Sequence, residues 1–253
     1  MPTQTVLLVG GTGRTGKRAL QQLLQRGVSV RAIVRSRSKL PASLAEHPNL
    51  TLIEASVLAL SDEELQRHLR GCDAVLSCLG HVISLKGIYG APRDLVARAT
   101  ARLCQAIAAL RPAAPVKFIL MTSVSVHRSR ALDPRRGALE RAFLWLLRGL
   151  LPPAKDNQRA ADFLVEKIGP EHAFVEWAVV RPDSLQEGEV SEYAMHEGLV
   201  DTVFSPGATN MANVAHVMCE LVTSPALWAK WRSKLPVVVN AAPAVSAPAA
   251  PAS

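Results

Sequence analysis

The chain has 253 residues, 49% of them hydrophobic, and a formal net charge of +8. That length suits one α/β domain with a large core, and no apolar run is long enough for a transmembrane helix, so no membrane span is expected. The basic balance suits a phosphate-rich ligand; without aromatic interleaving or a known motif, nucleic acid is not an expected partner.

In chain order, the apolar run Val6-Leu7-Leu8-Val9 shows no polar alternation. It reads as a strand buried on both faces, the usual state in a parallel sheet. It breaks into Gly10-Gly11-Thr12-Gly13-Arg14-Thr15-Gly16, and a helical pattern with Leu20, Leu23 and Leu24 on one face follows. Strand, glycine loop and helix open a βαβ nucleotide-binding unit of the Rossmann type. Gly10 permits the tight turn, Gly13 lets a pyrophosphate approach the backbone, and Gly16 lets the helix pack near the strand. The free N–H groups of the helix then face the phosphates, with Thr12, Arg14 and Thr15 beside them. A P-loop is the rival, since Gly11, Gly16 and Lys17 match most of its pattern. Arg18, however, stands where Ser or Thr would hold Mg²⁺.

The G-x-x-G-x-x-G spacing differs from the G-x-G-x-x-G of most dehydrogenases. GGTGRTG resembles the loop of atypical and extended short-chain dehydrogenase/reductases, and most of all the NAD(P)H-binding, NmrA-like and flavin-reductase-like subgroup. The resemblance implies a doubly wound parallel sheet with a small C-terminal substrate lobe.

The second strand, 28–34, ends at Arg35-Ser36-Arg37-Ser38-Lys39. An acidic residue here would hold the ribose hydroxyls of NAD. Arg35 and Arg37, with Arg14, suit a 2′-phosphate instead, so the expected cofactor is NADP(H). A third strand spans 50–55. Ser61 and Glu64 form a capping box before Leu65 and Leu69, and Gly71 closes that helix. Residues 73–80 are the fourth strand and its turn. By the resemblance, Ser77, Cys78, Leu79 and Gly80 lie along the cofactor's ribose and pyrophosphate. After a loop at 81–92, an amphipathic helix covers 95–110.

The fifth strand, 118–121, runs into Thr122-Ser123-Val124-Ser125. The resemblance places Thr122 and Ser123 at the cofactor and gives Ser123 the role of polarising a substrate carbonyl. Residues 128–136 form a basic loop. The helix at 138–151 has an apolar arc too wide for a simple surface helix. Core packing, a substrate pocket, a homodimer interface and a membrane surface all fit it. Pro152-Pro153 stops it, and a further helix covers 157–168. A sixth strand, 173–180, runs into Arg181-Pro182-Asp183, an ending frequent in the family. The lobe occupies about 183–210. A helix at 213–222, a short one around 228–231 and an edge strand at 236–239 complete a single domain, 1–240. The Ala/Pro-rich 241–253 read as a disordered tail.

Catalytic short-chain dehydrogenases carry Tyr-x-x-x-Lys on the helix after the fifth strand. Here Tyr89 is followed by Arg93 and Tyr193 by Glu197, both at the wrong place. Aligning Asp162 with the acidic residue of that helix puts Ala154 where the Tyr belongs and Gln158 where the Lys belongs. The replacement candidates are Ser123, Ser125, His127, Lys155, Asp156, Tyr193 and His196. His127 is the best placed general acid, and Asp156 reads first as a helix N-cap. The expected activity is NADPH-dependent reduction of a small planar acceptor, such as a flavin or quinone. The alternative is a non-catalytic NmrA-like NADP(H) sensor that binds protein partners. The four cysteines lack metal-site spacing, so no metal is expected. With the first strand starting close to Met1 and no leader expected, the protein reads as reduced and cytoplasmic.

Overall fold

The structure, a computed structural model, describes residues 4–81, 90–126, 128, 133–134, 136–202 and 204–241. In chain order its strands are β1 (Thr5–Val9), β2 (Ser29–Val34), β3 (Leu50–Glu54), β4 (Ala74–Ser77), β5 (Val116–Met121), β6 (Val175–Pro182), β7 (Ser184–Gln186), β8 (Tyr193–His196), β9 (Ala208–Asn210) and β10 (Val237–Asn240). The helices are α1 (Arg14–Gln25), α2 (Ala42–Ala45), α3 (Asp62–Leu69), α4 (Leu95–Leu110), α5 (Ala138–Leu150), α6 (Pro152–Asp162), α7 (Met211–Thr223) and α8 (Pro225–Trp231). A 3₁₀ turn, Arg37–Lys39, follows β2, and a π-helical turn, Phe163–Ile168, ends α6.

Eight strands form one sheet in the order β3-β2-β1-β4-β5-β6-β10-β8. All its neighbours are parallel except β10 and β8. The order reverses between β1 and β4, which makes the sheet doubly wound and leaves a crevice at the carboxyl ends of those strands. The apolar run of β1 is explained by its two covered faces. Val6 and Leu8 join the core under α1, α7 and α8. Leu7 and Val9 join the core under α3, α4 and α6. Strands β4 to β6 alternate in the same way, so the sheet is sealed on both sides by one hydrophobic layer each.

Two elements depart from the sequence expectation, and a third narrows what the sequence left open. The helix expected from residue 157 begins at Pro152, directly after α5. Its prolines occupy the first helical positions, where no N–H donor is required. Pro152-Pro153 therefore start a helix as well as stopping one. The C-terminal strand β10 is not an edge. It pairs parallel with β6 and antiparallel with β8, so part of the 183–210 segment is built into the main sheet. Finally, α5 buries Leu144 but leaves Leu139 76% and Trp145 75% exposed, with Leu146 and Leu150 also exposed. Core packing thus explains one side of that helix only. Residues 242–253, most of the expected tail, lie outside the described residues, as do Tyr89 and His127. Among the described residues no helix is long and apolar enough to cross a membrane.

Candidate functional site

The glycine loop joins β1 to α1 at the crevice. Gly10 has φ +80°, and a Cβ there would meet the Cys78 carbonyl oxygen at 2.4 Å. Only glycine fits both the left-handed backbone and the contact with the end of β4. At Gly16 a Cβ would stand 2.1 Å from the Gly10 carbonyl oxygen and 3.1 Å from the Cys78 Cβ, so its absence lets α1 pack onto the loop. Gly13 differs. A Cβ there meets only the Gly10 oxygen, at 3.3 Å, and the residue is exposed. Gly13 caps α1 without a side-chain hydrogen bond, and the first turn holds no acidic residue. An anion at this helix end would meet backbone N–H groups and the positive end of the dipole without competition from a capping side chain.

A cleft of about 630 Å³ opens over this loop. That volume falls in the usual range for small-molecule and cofactor sites. At its β2 end lie Ile33, Val34, Arg35, Lys39, Ser56 and Val57, and at its centre Gly10, Thr12, Gly13, Arg14 and Thr15. Cys78, Leu79 and Gly80 follow the end of β4. Beyond them lie His81, Pro92, Leu95, Met121, Leu185 and Met211. A second, more open depression of about 520 Å³ includes Pro115, Glu171 and Glu176, on the side where β5 and β6 begin. It is away from the glycine loop.

Several expected site residues are not on the cleft lining. Gly16 acts from behind, through packing. Ser77 is fully buried within β4, and its Oγ has no hydrogen-bond partner among the described residues. Thr122 is buried and donates to the Val180 carbonyl at 3.4 Å. Ser123 shares a 2.6 Å hydrogen bond with Ser125 through their hydroxyls. Arg37 is exposed, on the 3₁₀ turn that instead brings Lys39 to the cleft. Lys39 was legible as part of the basic run, but residues two apart in such a turn point in different directions. The Cys78 thiol is pushed up to about 12 by burial, so it stays protonated beside the cleft.

Glu187, just past β7, reaches back over the loop. Arg14 donates to it at 2.8 Å, and Arg18 bonds its other oxygen. The Arg14 hydrogen bond, followed by the charge of Arg18, holds the Glu187 carboxyl below the usual carboxylate range. At the end of β6, Arg181 makes a buried two-pronged pair with Asp133, at 2.9 and 3.3 Å, and donates to the Leu235 carbonyl at 2.9 Å. The pair ties the end of β6 to the segment after β5, and the bond to Leu235 ties it to the chain entering β10.

Where a Tyr-x-x-x-Lys pair would stand, Ala154 is half-buried and Gln158 donates to Asp162 at 2.8 Å. Tyr193 is on β8, bonded to His216 Nδ1 at 2.8 Å, and burial raises its phenol. Like Lys155, which is exposed, and His196, it is absent from the cleft lining. Asp156 does cap a helix, but not its own. Its carboxylate accepts from Val96 N at 2.8 Å and Ala97 N at 2.9 Å, the first turn of α4, and also bonds His81 Nε2 at 2.8 Å. Sequence reasoning missed His81, whose only signal is its place directly after the β4 turn.

The sheet order, the glycine loop and the start of α1 define a Rossmann-type fold with a dinucleotide-binding crevice. The chain belongs to the NAD(P)H-binding family, whose pattern matches residues 10–225. A short-chain dehydrogenase/reductase from Veillonella parvula, solved in complex with NADP, superposes with a TM-score of 0.68 at 12% identity, covering 94% of each chain. A protein from Streptococcus pneumoniae, provisionally assigned as an NADH-flavin reductase, superposes with a TM-score of 0.65 at 18% identity, over 94% of this chain and 100% of its own. An uncharacterised chloroplastic protein of Arabidopsis thaliana is 44% identical over 55 residues, which span 22% of this chain and 20% of that protein.

Proposed function

We propose that the protein is an NADPH-dependent reductase of a small planar acceptor, such as a flavin or quinone. The observation that carries this reading is the two-ended cleft: basic where β2 ends, apolar where β4 and β5 end. Arg35 and Lys39, with Arg14 at the loop, offer cations to a 2′-phosphate. Gly10, Thr12, Gly13 and Thr15 take the pyrophosphate, and Cys78, Leu79 and Gly80 run along the second ribose. Bound there, NADPH supplies a hydride. Pro92, Leu95, Met121, Leu185 and Met211 form an apolar wall suited to a flat ring system.

The test is NADPH oxidation by purified protein against a panel of flavins and quinones, followed by single-turnover kinetics on each substrate found. The reading expects turnover of at least one acceptor. A protein that binds NADPH tightly and reduces none favours the second reading, a dinucleotide sensor that binds protein partners. The exposed apolar face of α5 supports that alternative, because it offers a surface for a partner.

A further inference from the structure

We propose that α5 is a membrane-contact helix, which seats the protein on an anionic lipid surface. Its apolar side lies against the acyl chains, and the basic segment around it lies against the headgroups. This does not depend on whether the cleft turns over an acceptor.

Leu139, Phe143, Leu146 and Leu150 recur at intervals of four, three and four residues, so they form one stripe along α5. All four are exposed, and Trp145 is exposed on the adjoining side. Ala138, Ala142 and Gly149 fall between the stripe and Trp145 on the helix surface, so no polar residue interrupts the arc. Phe204 extends it from the 183–210 segment. It is exposed, and its ring centroid lies 5.6 Å from that of Phe143. The opposite side of the helix buries Glu140 and Leu144. The helix is thus fixed to the fold by one face and bare on the apolar one, and a continuous exposed apolar surface of this kind marks an interaction site.

Charge decides what covers it. Residues 128–159 hold eight Lys and Arg against three Asp and Glu, a net +5 out of the chain's +8. All three acids are buried. Asp133 pairs with Arg181, Glu140 stands 3.7 Å from Arg136, and Asp156 accepts from the first turn of α4. Lys155 and Arg159, on α6, are exposed. The segment therefore presents cations with no exposed acid of its own. A second copy fits this surface poorly, because a two-fold contact sets the same patch against itself and brings like charges together. Anionic lipid meets both requirements, with hydrocarbon for the stripe and negative headgroups for the cations. Leu and Phe on an apolar face beside basic residues is the composition of a helix that lies in the plane of the interface, and tryptophan is a side chain that settles at headgroup level. The 13 residues of α5 need no spanning length for this, since such a helix lies flat.

The test uses the full chain and large vesicles, either of phosphatidylcholine alone or with phosphatidylglycerol mixed in. Trp145 is a built-in reporter, because Trp177, Trp228 and Trp231 are buried. Wild type is expected to co-sediment with the anionic vesicles at least about tenfold more tightly than with phosphatidylcholine alone. Binding should weaken at high salt, and brominated acyl chains should quench the tryptophan emission of the bound protein. The double variant Trp145→Ser/Leu146→Ser keeps every charge and alters exposed side chains alone, so its Tm and NADPH affinity should match wild type. Its affinity for anionic vesicles should fall at least about tenfold. Wild type that stays in solution beside anionic vesicles overturns the proposal, whatever its turnover. Equal vesicle binding by the double variant, with no quenching in wild type, leaves only charge acting and overturns the role of α5. A dimer in sedimentation equilibrium that the double variant abolishes, without vesicle binding, gives the face to a second copy instead.

Discussion

Gly13 and Gly16 stand three residues apart in one loop, yet the structure gives them separable tasks. A methyl at Gly16 would lie 2.1 Å from a backbone oxygen, against 3.4 Å or more for an ordinary contact. Helix α1 must therefore move by more than 1 Å, or the loop must open. Overpacking a rigid site costs about 1–3 kcal/mol, and the Gly10 backbone on one side with the Cys78 Cβ on the other puts Gly16→Ala near the top of that range. For a chain of this size that is a fall in Tm of roughly 6–12 °C. A methyl at Gly13 meets one oxygen at 3.3 Å and otherwise projects from an exposed turn. Its cost is the poorer helix cap, about 1 kcal/mol or a fall of roughly 2–4 °C. The same methyl occupies the approach of a pyrophosphate, so NADPH affinity should fall at least tenfold, about 1.4 kcal/mol. Thermal unfolding without cofactor and NADPH titration by fluorescence measure the two effects separately. Gly13→Ala with wild-type NADPH affinity would refute the phosphate cradle. Equal Tm losses in the two variants would refute the division of labour.

NADPH should bind at least tenfold tighter than NADH, about 1.4 kcal/mol by calorimetry, and Arg35→Asp should narrow or reverse the preference; tighter NADH binding by wild type would contradict the basic-rim argument. Glu187 engages Arg14, so it competes with the 2′-phosphate, and Glu187→Gln should tighten NADPH more than NADH. The pH dependence of this contact has a definite sign. Because the folded carboxyl is held below its ordinary range, the ion pair is complete above that range and is lost only as pH falls through the depressed value. The difference between Glu187→Gln and wild type in NADPH affinity should therefore shrink in acid; a constant difference would dissociate the effect from the charge of Glu187. Asp133→Ala leaves Arg181 buried without its carboxylate and should cost about 3–5 kcal/mol in urea unfolding, whereas a loss under 1 kcal/mol would show the pair to be dispensable.

Features fixed by neighbouring residues are legible in the sequence. The β1 run, the glycine loop and α1 are contiguous, and the phosphate cradle is made of backbone. Its requirements therefore appear as glycines at fixed spacing within seven residues. The capping box of Ser61 and Glu64 was equally legible, and both its hydrogen bonds are present. Elements that depend on distant partners were not. Nothing in Pro152-Pro153 says whether the chain after them is a loop or the first turn of a helix. The interior position of β10 depends on β8, whose partner residues lie more than forty positions away. Local apolar periodicity likewise left the cover of α5 open, since that pattern describes a face without saying what covers it.

The same distinction explains why the cofactor end of the cleft was easier to read than its reactive end. Binding a dinucleotide uses N–H groups, a helix end and a few cations, all supplied by one βαβ unit. Proton delivery needs a side chain whose orientation a second side chain controls, and the fold can draw that second residue from anywhere. Asp156 looked like the cap of its own helix because a carboxylate near a helix start usually is one. Its actual donors belong to α4, and its Oδ2, which accepts from Val96 N, also bonds His81 Nε2. A family motif lost from its usual place is therefore weak evidence that the chemistry is lost. The bond between His81 and Asp156 at that end of the cleft is invisible in the sequence for the same reason, because 75 positions separate its partners.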